Sequence, residues 1–352
     1  MISLLVWLSF FYKTYADTKD NNEDIHNIFL INSYDTDNKW ENRVKLGLKE
    51  VIKENSNINL KTEYLDIKNN ENEKYIRDFE NLLNTKYKNN NFDMIIAVDD
   101  EAFSFARANL FNKNSIFYKK TIVFTGVNDM VDLTDEEKQY VTGFIDNRSK
   151  IEMVKLIADL HPNVNKINVL IGDTNYCEDI KNKLLENKYL LDKNIDLNFI
   201  EAKYLDEVLQ KVKNMDEKNE AILICEVFKD RNTGNYIIPE EIINKIKNTK
   251  DVPIYTSREE YIGKGVIGGY VDMGWENGSN LGKMVLKIYE EKDISQVPLI
   301  NKLSANYIVD YHEIYDYNIN PLNLPKDTIV INKKVHELLL PRDQIIVIII
   351  II

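Results

Sequence analysis

The stretch NFDMIIAVDDEAFSFARANL, residues 91–110, decides how the chain is read. An unbroken apolar run, MIIAV, ends at Asp99 and Asp100, and an amphipathic segment follows to residue 111. A short apolar strand without polar alternation, feeding directly into a helix, belongs to a parallel sheet covered on both faces. The same unit recurs on either side. Upstream, IFLIN (residues 28–32) leads into the helical WENRVKLGLKEVIKEN. LKTEYLD (60–66) then leads into a charged helix around 75–88. Downstream, TIVFTGV (121–127) supplies a fourth strand.

The rhythm then restarts. A helix at 151–162 precedes the strand INVLIGD (167–173), and CEDIKNKLLENKYLL is helical again. DLNFIEA, a helix at 204–214, AILICEVF (221–228), a helix at 239–248 and VPIYT (252–256) complete a second half of about 120 residues. VIGGYVDMGWENG, a helix through 282–290 and the strand-like NKLSANYIVD follow. The expected fold class is α/β, with two doubly wound parallel-sheet lobes in series. Such sheets bind ligands outside the carboxyl ends of their strands, in a crevice between the lobes.

Composition narrows the function. In 352 residues, 45 Lys plus Arg against 57 Asp plus Glu leave a net charge of −12. That balance argues against a nucleic-acid partner, whose affinity rests on neutralising phosphates. With 2 Cys and 4 His (His26, His161, His312 and His336), no metal-ligand spacing arises, and no metal or cofactor is implied. No phosphate-cradling glycine loop, nucleophile elbow or Cys/His pairing stands after any strand, so no catalytic residue is assigned. His161 before Pro162 reads as a helix terminus. Cys177 and Cys225 are candidates for a disulfide outside the cell, a pairing that spacing leaves open.

Both ends are apolar. Residues 1–16 open with MISLLVWLSFFY, too short for about 30 Å of hydrocarbon, and read as a signal peptide or membrane anchor with Ala16 at a tolerable cleavage site. Residues 345–352, IIVIIIII, read as the start of a truncated transmembrane segment, with a buried final strand as the alternative. Together the ends place residues 27–341 outside the membrane, secreted or tethered at the cell surface.

The order of INSYDTDNKW, FDMIIAVDDEAF, VFTGVND, VTGFID, LHPNVNKINVLIGDT and VIGGYVDMG resembles the ABC-type substrate-binding protein family. The likeness is to its type I periplasmic-binding branch, associated with aromatic amino-acid uptake, whose relatives also serve as extracellular sensor modules. It covers residues 28–325. Where that branch often has an acidic or Gly-rich stretch after the fifth strand, this chain has GDTNYCED. The resemblance implies a clamshell: lobe 1 at 27–143 with 258–297 returning to it, and lobe 2 at 144–257 with 298–330 returning. Crossings are expected at 141–146, near Ser257 and near Pro298. The implied partners are a small-molecule solute, such as an amino acid, and either a membrane permease or the protein's own membrane-spanning signalling module.

Residues at the strand ends form the candidate ligand set. In the first lobe these are Ser33, Tyr34, Trp40, Asp99, Asp100, Gly126, Val127 and Asn128. In the second they are Asp173, Thr174, Glu226, Phe228 and Thr256, with Gly269 and Tyr270 on a crossing segment near the crevice. Tyr34 and Trp40 either flank an apolar ligand or pad strand–helix packing. Of Asp99 and Asp100, one reads as a helix N-cap and the other as a contact for a ligand ammonium. Gly126 lets backbone N–H groups approach a ligand, and Asn128 both donates and accepts. The acidic residues of the second lobe suit an amine or are solvated turn residues. The Ile-rich terminus and the missing lipidation Cys favour a sensor over a transporter component. The alternative from another class is a two-lobed α/β enzyme such as a glycosyltransferase, which would need a nucleotide-sugar or metal-binding acidic motif, and only Asp99 and Asp100 hint at one.

Overall fold

The computed structural model describes residues 25–333 apart from 54–56, 68, 71, 129–130, 147–149, 173–174 and 302–304. The expected leader (1–16) and the Ile-rich terminus (345–352) lie outside the described residues. Among the described residues no helix is long and apolar enough to cross a membrane.

The apolar runs of the first half fold as parallel strands. In chain order they are β1 (His26–Asn32), α1 (Lys39–Ile52), β2 (Ile58–Tyr64), α2 (Glu73–Lys86), β3 (Met94–Val98), α3 (Asp100–Asn109), β4 (Thr121–Val127) and β5 (Val141–Ile145). The strands lie in the order β2-β1-β3-β4-β5. Side chains alternate between faces. Phe29, Ile31, Ile95, Ala97, Ile122 and Phe124 share one face, packed with Phe79 and Leu83 of α2 and Phe103 and Phe105 of α3. Phe29 anchors that core, its ring 5.0–5.7 Å from those of Phe92, Tyr87 and Phe117. Ile28, Leu30, Met94, Ile96, Val98 and Val123 occupy the other face and are buried. Side chains start the helices: Asn38 accepts the Glu41 N–H at α1, and Asn72 the Tyr75 N–H at α2. Arg107 of α3 holds Glu137 at 2.6 Å, and this guanidinium keeps the Glu137 carboxyl down at about 2.

The second half comprises α4 (Ile151–Leu160), β6 (Lys166–Ile171), α5 (Asn175–Glu186), β7 (Asp196–Glu201), α6 (Leu205–Val212), β8 (Glu220–Ile224), α7 (Pro239–Thr249), β9 (Ile254–Thr256), β10 (Gly268–Asp272), α8 (Gly274–Glu291), β11 (Ala305–Asp310), α9 (Tyr311–Asp316) and β12 (Ile329–Ile331). Seven strands run in the order β12-β11-β10-β9-β8-β6-β7, parallel except where β10 meets β11. Helices α4 and α5 cover one face around Val169 and Leu223. Helices α6 and α7 cover the other around Leu170 and Ile222.

The chain divides into two compact units. The first takes in the described residues to Ile145, apart from Asn42–Val44, and Gly278–Ile300; the second holds the remainder. Within the first, residues 297–300 run beside β5: Thr142 Oγ1 donates to the Val297 carbonyl at 2.7 Å and the Ile145 N–H to that of Ile300 at 2.9 Å. Gly282 of α8 meets α1 so closely that a Cβ there would stand 2.7 Å from Val51 Cβ.

Two expectations change. Residues 258–277, expected with the first lobe, pack in the second unit. The Gly268–Tyr270 segment is a sheet strand rather than a crossing, since β10 pairs with both β9 and β11. Only glycine fits at Gly269, where a Cβ would lie 1.9 Å from the Thr256 carbonyl oxygen.

His161 ends α4, as its place before Pro162 suggests, and its N–H donates to the Ile157 carbonyl at 3.0 Å. Its Nε2 lies 2.8 Å from the Tyr255 hydroxyl, and burial pushes its pKa down to about 4. The unfolded chain therefore takes up this proton first, near pH 6.5, so stability supplied by the neutral ring is full above that pH and is lost as pH falls toward 4. We expect wild type to lose roughly 1–2 kcal/mol more than His161→Gln between pH 7 and pH 5 in chemical denaturation. Equal losses would contradict this assignment.

Candidate functional site

In each parallel sheet the strand ends and the helix starts come to the same edge, so free backbone donors and acceptors concentrate there. In the first unit a buried carboxylate gathers them. Glu41, in the first turn of α1 and 1% exposed, accepts the Ser33 N–H at 2.8 Å and the Tyr34 N–H at 3.2 Å. Ser33 is itself fully buried; its hydroxyl donates to the Val98 carbonyl and accepts the Ala102 N–H, both at 2.8 Å. Ser33 thus ties β1 to β3 and α3, while Tyr34 stands half-buried beside it.

Asp99 starts α3, accepting the Asp100 N–H at 2.8 Å. Its backbone sits at φ 73°, ψ 169°, a conformation that non-glycine residues adopt only under constraint. Its N–H is held by the Thr125 carbonyl at 2.8 Å. The Asp100 carboxylate takes the Asn128 side-chain amide at 2.7 Å and the Asn128 N–H at 3.1 Å, fastening α3 to the end of β4. Gly126, at φ 79°, lies under the Trp40 ring: a Cβ there would stand 2.6 Å from Trp40 Cη2 and 3.4 Å from the Asp99 N. Val127 is buried and belongs to the aromatic core. The structure thereby brings Trp40, Asp99, Gly126, Asp100 and Asn128 together.

In the second unit Glu226 follows β8. It accepts the Val227 N–H at 2.8 Å, pairs with Arg258 at 3.4 Å and takes a contact from the Cys177 thiol at 3.5 Å. Arg258 also holds Glu260 at 2.6 Å. Thr256 is fully buried, donating to the Ile224 carbonyl at 3.1 Å and accepting the Arg258 N–H at 2.9 Å. Cys177 and Cys225 are both buried thiols, not joined in a disulfide. Burial pushes the Cys225 thiol up to about 12, which keeps it protonated and unreactive. Phe228 is placed differently from its expectation: its ring is fully buried among Ile224, Ile237 and Ile242, because an apolar ring four residues past a strand end is best satisfied in the core. Tyr270 is half-buried against Tyr307, centroids 4.7 Å apart. Asp173 and Thr174 lie outside the described residues.

Among the described residues no three His, Cys, Asp or Glu side chains group as metal ligands would. What both edges offer is hydroxyl, amide, carboxylate and aromatic chemistry suited to holding a small polar molecule.

The family model for ABC transporter substrate binding proteins matches residues 37–323. The chain belongs to that family. No curated protein matches it significantly. Among solved structures, the open, ligand-free CD0873 from Clostridium difficile, a substrate binding protein with adhesive properties, is 14% identical at TM-score 0.63, covering 88% of this chain and 100% of its own. An ABC domain from Streptococcus pneumoniae in complex with L-Trp is 15% identical at TM-score 0.61, covering 87% and 99%. A complex of the TorS sensor domain with TorT, without ligand, is 15% identical at TM-score 0.54, covering 80% and 90%. These likenesses show the two-sheet α/β fold of type I periplasmic-binding proteins.

Sequence reasoning missed Glu41, Arg258 and Glu260 in this family member. The Asn38-x-x-Glu41 spacing, an N-cap followed by an acid three residues on, was the available signal for Glu41. Arg258 had none beyond standing two residues after a strand.

The contact between Gly126 and Trp40 is testable. Gly126→Ala meets both a left-handed backbone and the indole ring, so we expect a Tm several degrees lower. Trp40→Ala in the same chain should return the steric part of that loss while leaving the backbone part. Strict additivity of the two substitutions would mean that the ring and the glycine do not touch.

Proposed function

We propose that this protein binds one small solute reversibly, without altering it covalently, using side chains at the carboxyl ends of its sheet strands. The observation that carries the reading is the family match across residues 37–323, set over edges built from Trp40, Asp99, Asp100 and Asn128 in one unit and Glu226 and Arg258 in the other. An excess of carboxylates beside aromatic rings suits an amine-bearing solute with an apolar or aromatic body. The L-Trp complex of the Streptococcus pneumoniae domain supports the same class. The likeness argues against an enzyme: Asp99 and Asp100 are engaged in starting α3 and in holding Asn128, as structural carboxylates are.

The protein works outside the cytoplasm in this reading. As a transporter component it hands its solute to a membrane permease, which is what the family description favours. A second reading, supported by the TorS–TorT likeness, makes it a sensor that passes solute occupancy to a membrane-spanning signalling module. In either role the solute acts by its preference for one conformational state over another.

Thermal denaturation against the twenty amino acids and common amine metabolites tests the proposal. A cognate solute at a hundredfold excess over its Kd adds about 2.7 kcal/mol, which should raise the Tm by roughly 5 °C or more. A flat response from correctly folded protein would overturn it.

A further inference from the structure

The first sheet ends at an open edge. Its terminal strand β2 pairs with β1 and, among the described residues, with no other strand. At the two ends of that pairing the His26 N–H donates to the Asn57 carbonyl at 2.7 Å and the Leu65 N–H to the Asn32 carbonyl at 2.8 Å. Backbone groups alternate in direction along a strand, so the odd-numbered residues of β2 face β1. Ile58, Leu60, Thr62 and Tyr64 turn their N–H and C=O groups outward, a ready template for another strand.

The charges of β2 oppose most such pairings and suit one. Register partners share a face, which sets Lys61 with Phe29 and Glu63 with Ile31, on the side that α2 covers. Glu63 Oε1 accepts from Lys86 Nζ at 2.7 Å and from the Tyr87 hydroxyl. Its Oε2 has no donor among the described residues, and exposed Lys61 has no acceptor among them. Leu60, Thr62 and Tyr64 are half-buried on the other side.

Two copies of one strand pairing antiparallel about a two-fold axis make the same contacts twice, so the axis position fixes them all. With the axis at Thr62, each Lys61 stands directly opposite the Glu63 of the other copy, in the closer kind of pair that has no hydrogen bonds between its backbones. Thr62 meets Thr62, and Leu60 meets Tyr64, as hydrogen-bonded pairs. Opposite charges, Thr–Thr and aliphatic–aromatic neighbours are all favourable across strands. An axis at Lys61 or Glu63 sets like charges face to face, and one at Leu60 or Tyr64 sets neither charge against its opposite. The remaining edges offer nothing comparable. The charged residues of β7 are the acids Asp196 and Glu201, β12 has three uncharged residues, and residues 297–300 run beside β5.

We propose that two copies of this chain associate through β2, continuing the first sheet across a two-fold axis at Thr62. The association uses the outer edge of the strand and does not depend on the solute reading.

Sedimentation equilibrium of the full chain tests it, loaded across a wide concentration range. We expect a monomer–dimer equilibrium with a Kd on the order of 10–100 μM, as a small contact gives. Lys61→Glu, at an exposed side chain, should leave the monomer folded and weaken association about tenfold or more, since it creates two like-charge pairs, whereas Lys61→Arg should associate as wild type does. Register is read by cysteine cross-linking with oxidised glutathione as the oxidant. Thr62→Cys brings two thiols to an axis where the Cα atoms are about 5.5 Å apart, within reach of a disulfide, and should yield covalent dimer. Asn59→Cys, also exposed, lies away from the axis and should yield little. Wild type that stays monomeric throughout would overturn the proposal, as would a dimer that Lys61→Glu leaves unchanged. Cross-linking of Asn59→Cys equal to that of Thr62→Cys would overturn the register and the charge argument with it.

Discussion

The Glu41 carboxylate is the interaction on which the first unit's edge depends. A parallel strand that ends beside a helix start leaves backbone N–H groups without sheet partners, and burying them unsatisfied would cost more than the packing returns. Glu41 accepts two of them, from Ser33 and Tyr34, while its own N–H is taken by Asn38. Ser33 extends the connection to Val98 and Ala102. Four elements, β1, α1, β3 and α3, are thereby fixed to one another at the edge where a ligand is expected. The second unit solves the same problem with a hydroxyl, Thr256, and a carboxylate, Glu226, held by Arg258.

The residues at these edges are not all held in the same way. The Ser33 hydroxyl is turned to the Val98 and Ala102 backbone, and that of Thr256 to the Ile224 and Arg258 backbone. Trp40, Asp99, Asp100 and Asn128 are also connected, but around a glycine covered by the Trp40 ring and a backbone held in a costly conformation at Asp99. Strain of this kind survives where its surroundings overdetermine it, and here the Thr125 carbonyl and the α3 start do so.

Much of the fold was legible in the chain because parallel strands buried on both faces must be written as apolar runs. MIIAV, IFLIN and AILI could hardly fold otherwise. The strand β10 was not legible as a sheet element. VIGGYVD carries a glycine pair that reads as a crossing segment, yet the glycines are there because the strand lies against the Thr256 carbonyl and the backbone of β11. Phe228 misled for a related reason: position after a strand says nothing of which way a 14-residue connection folds, and an apolar ring turned inward. Arg258 escaped because its role is read only from its partner Glu226, 32 residues away, and Glu41 because only its spacing from Asn38 marked it. Cys177 and Cys225, whose pairing spacing leaves open, stand as free buried thiols, with Cys177 lodged between the Gly172 N–H and Glu226.

The central claim, retention of a small molecule without chemistry, is tested most directly by mass spectrometry of what the protein holds. Purified protein is equilibrated with an extract of small metabolites, separated from unbound material and denatured. The account predicts one compound released at close to one per chain, amine-bearing and identical in mass to the compound supplied. Release of nothing, or of a molecule whose mass has changed, would contradict it.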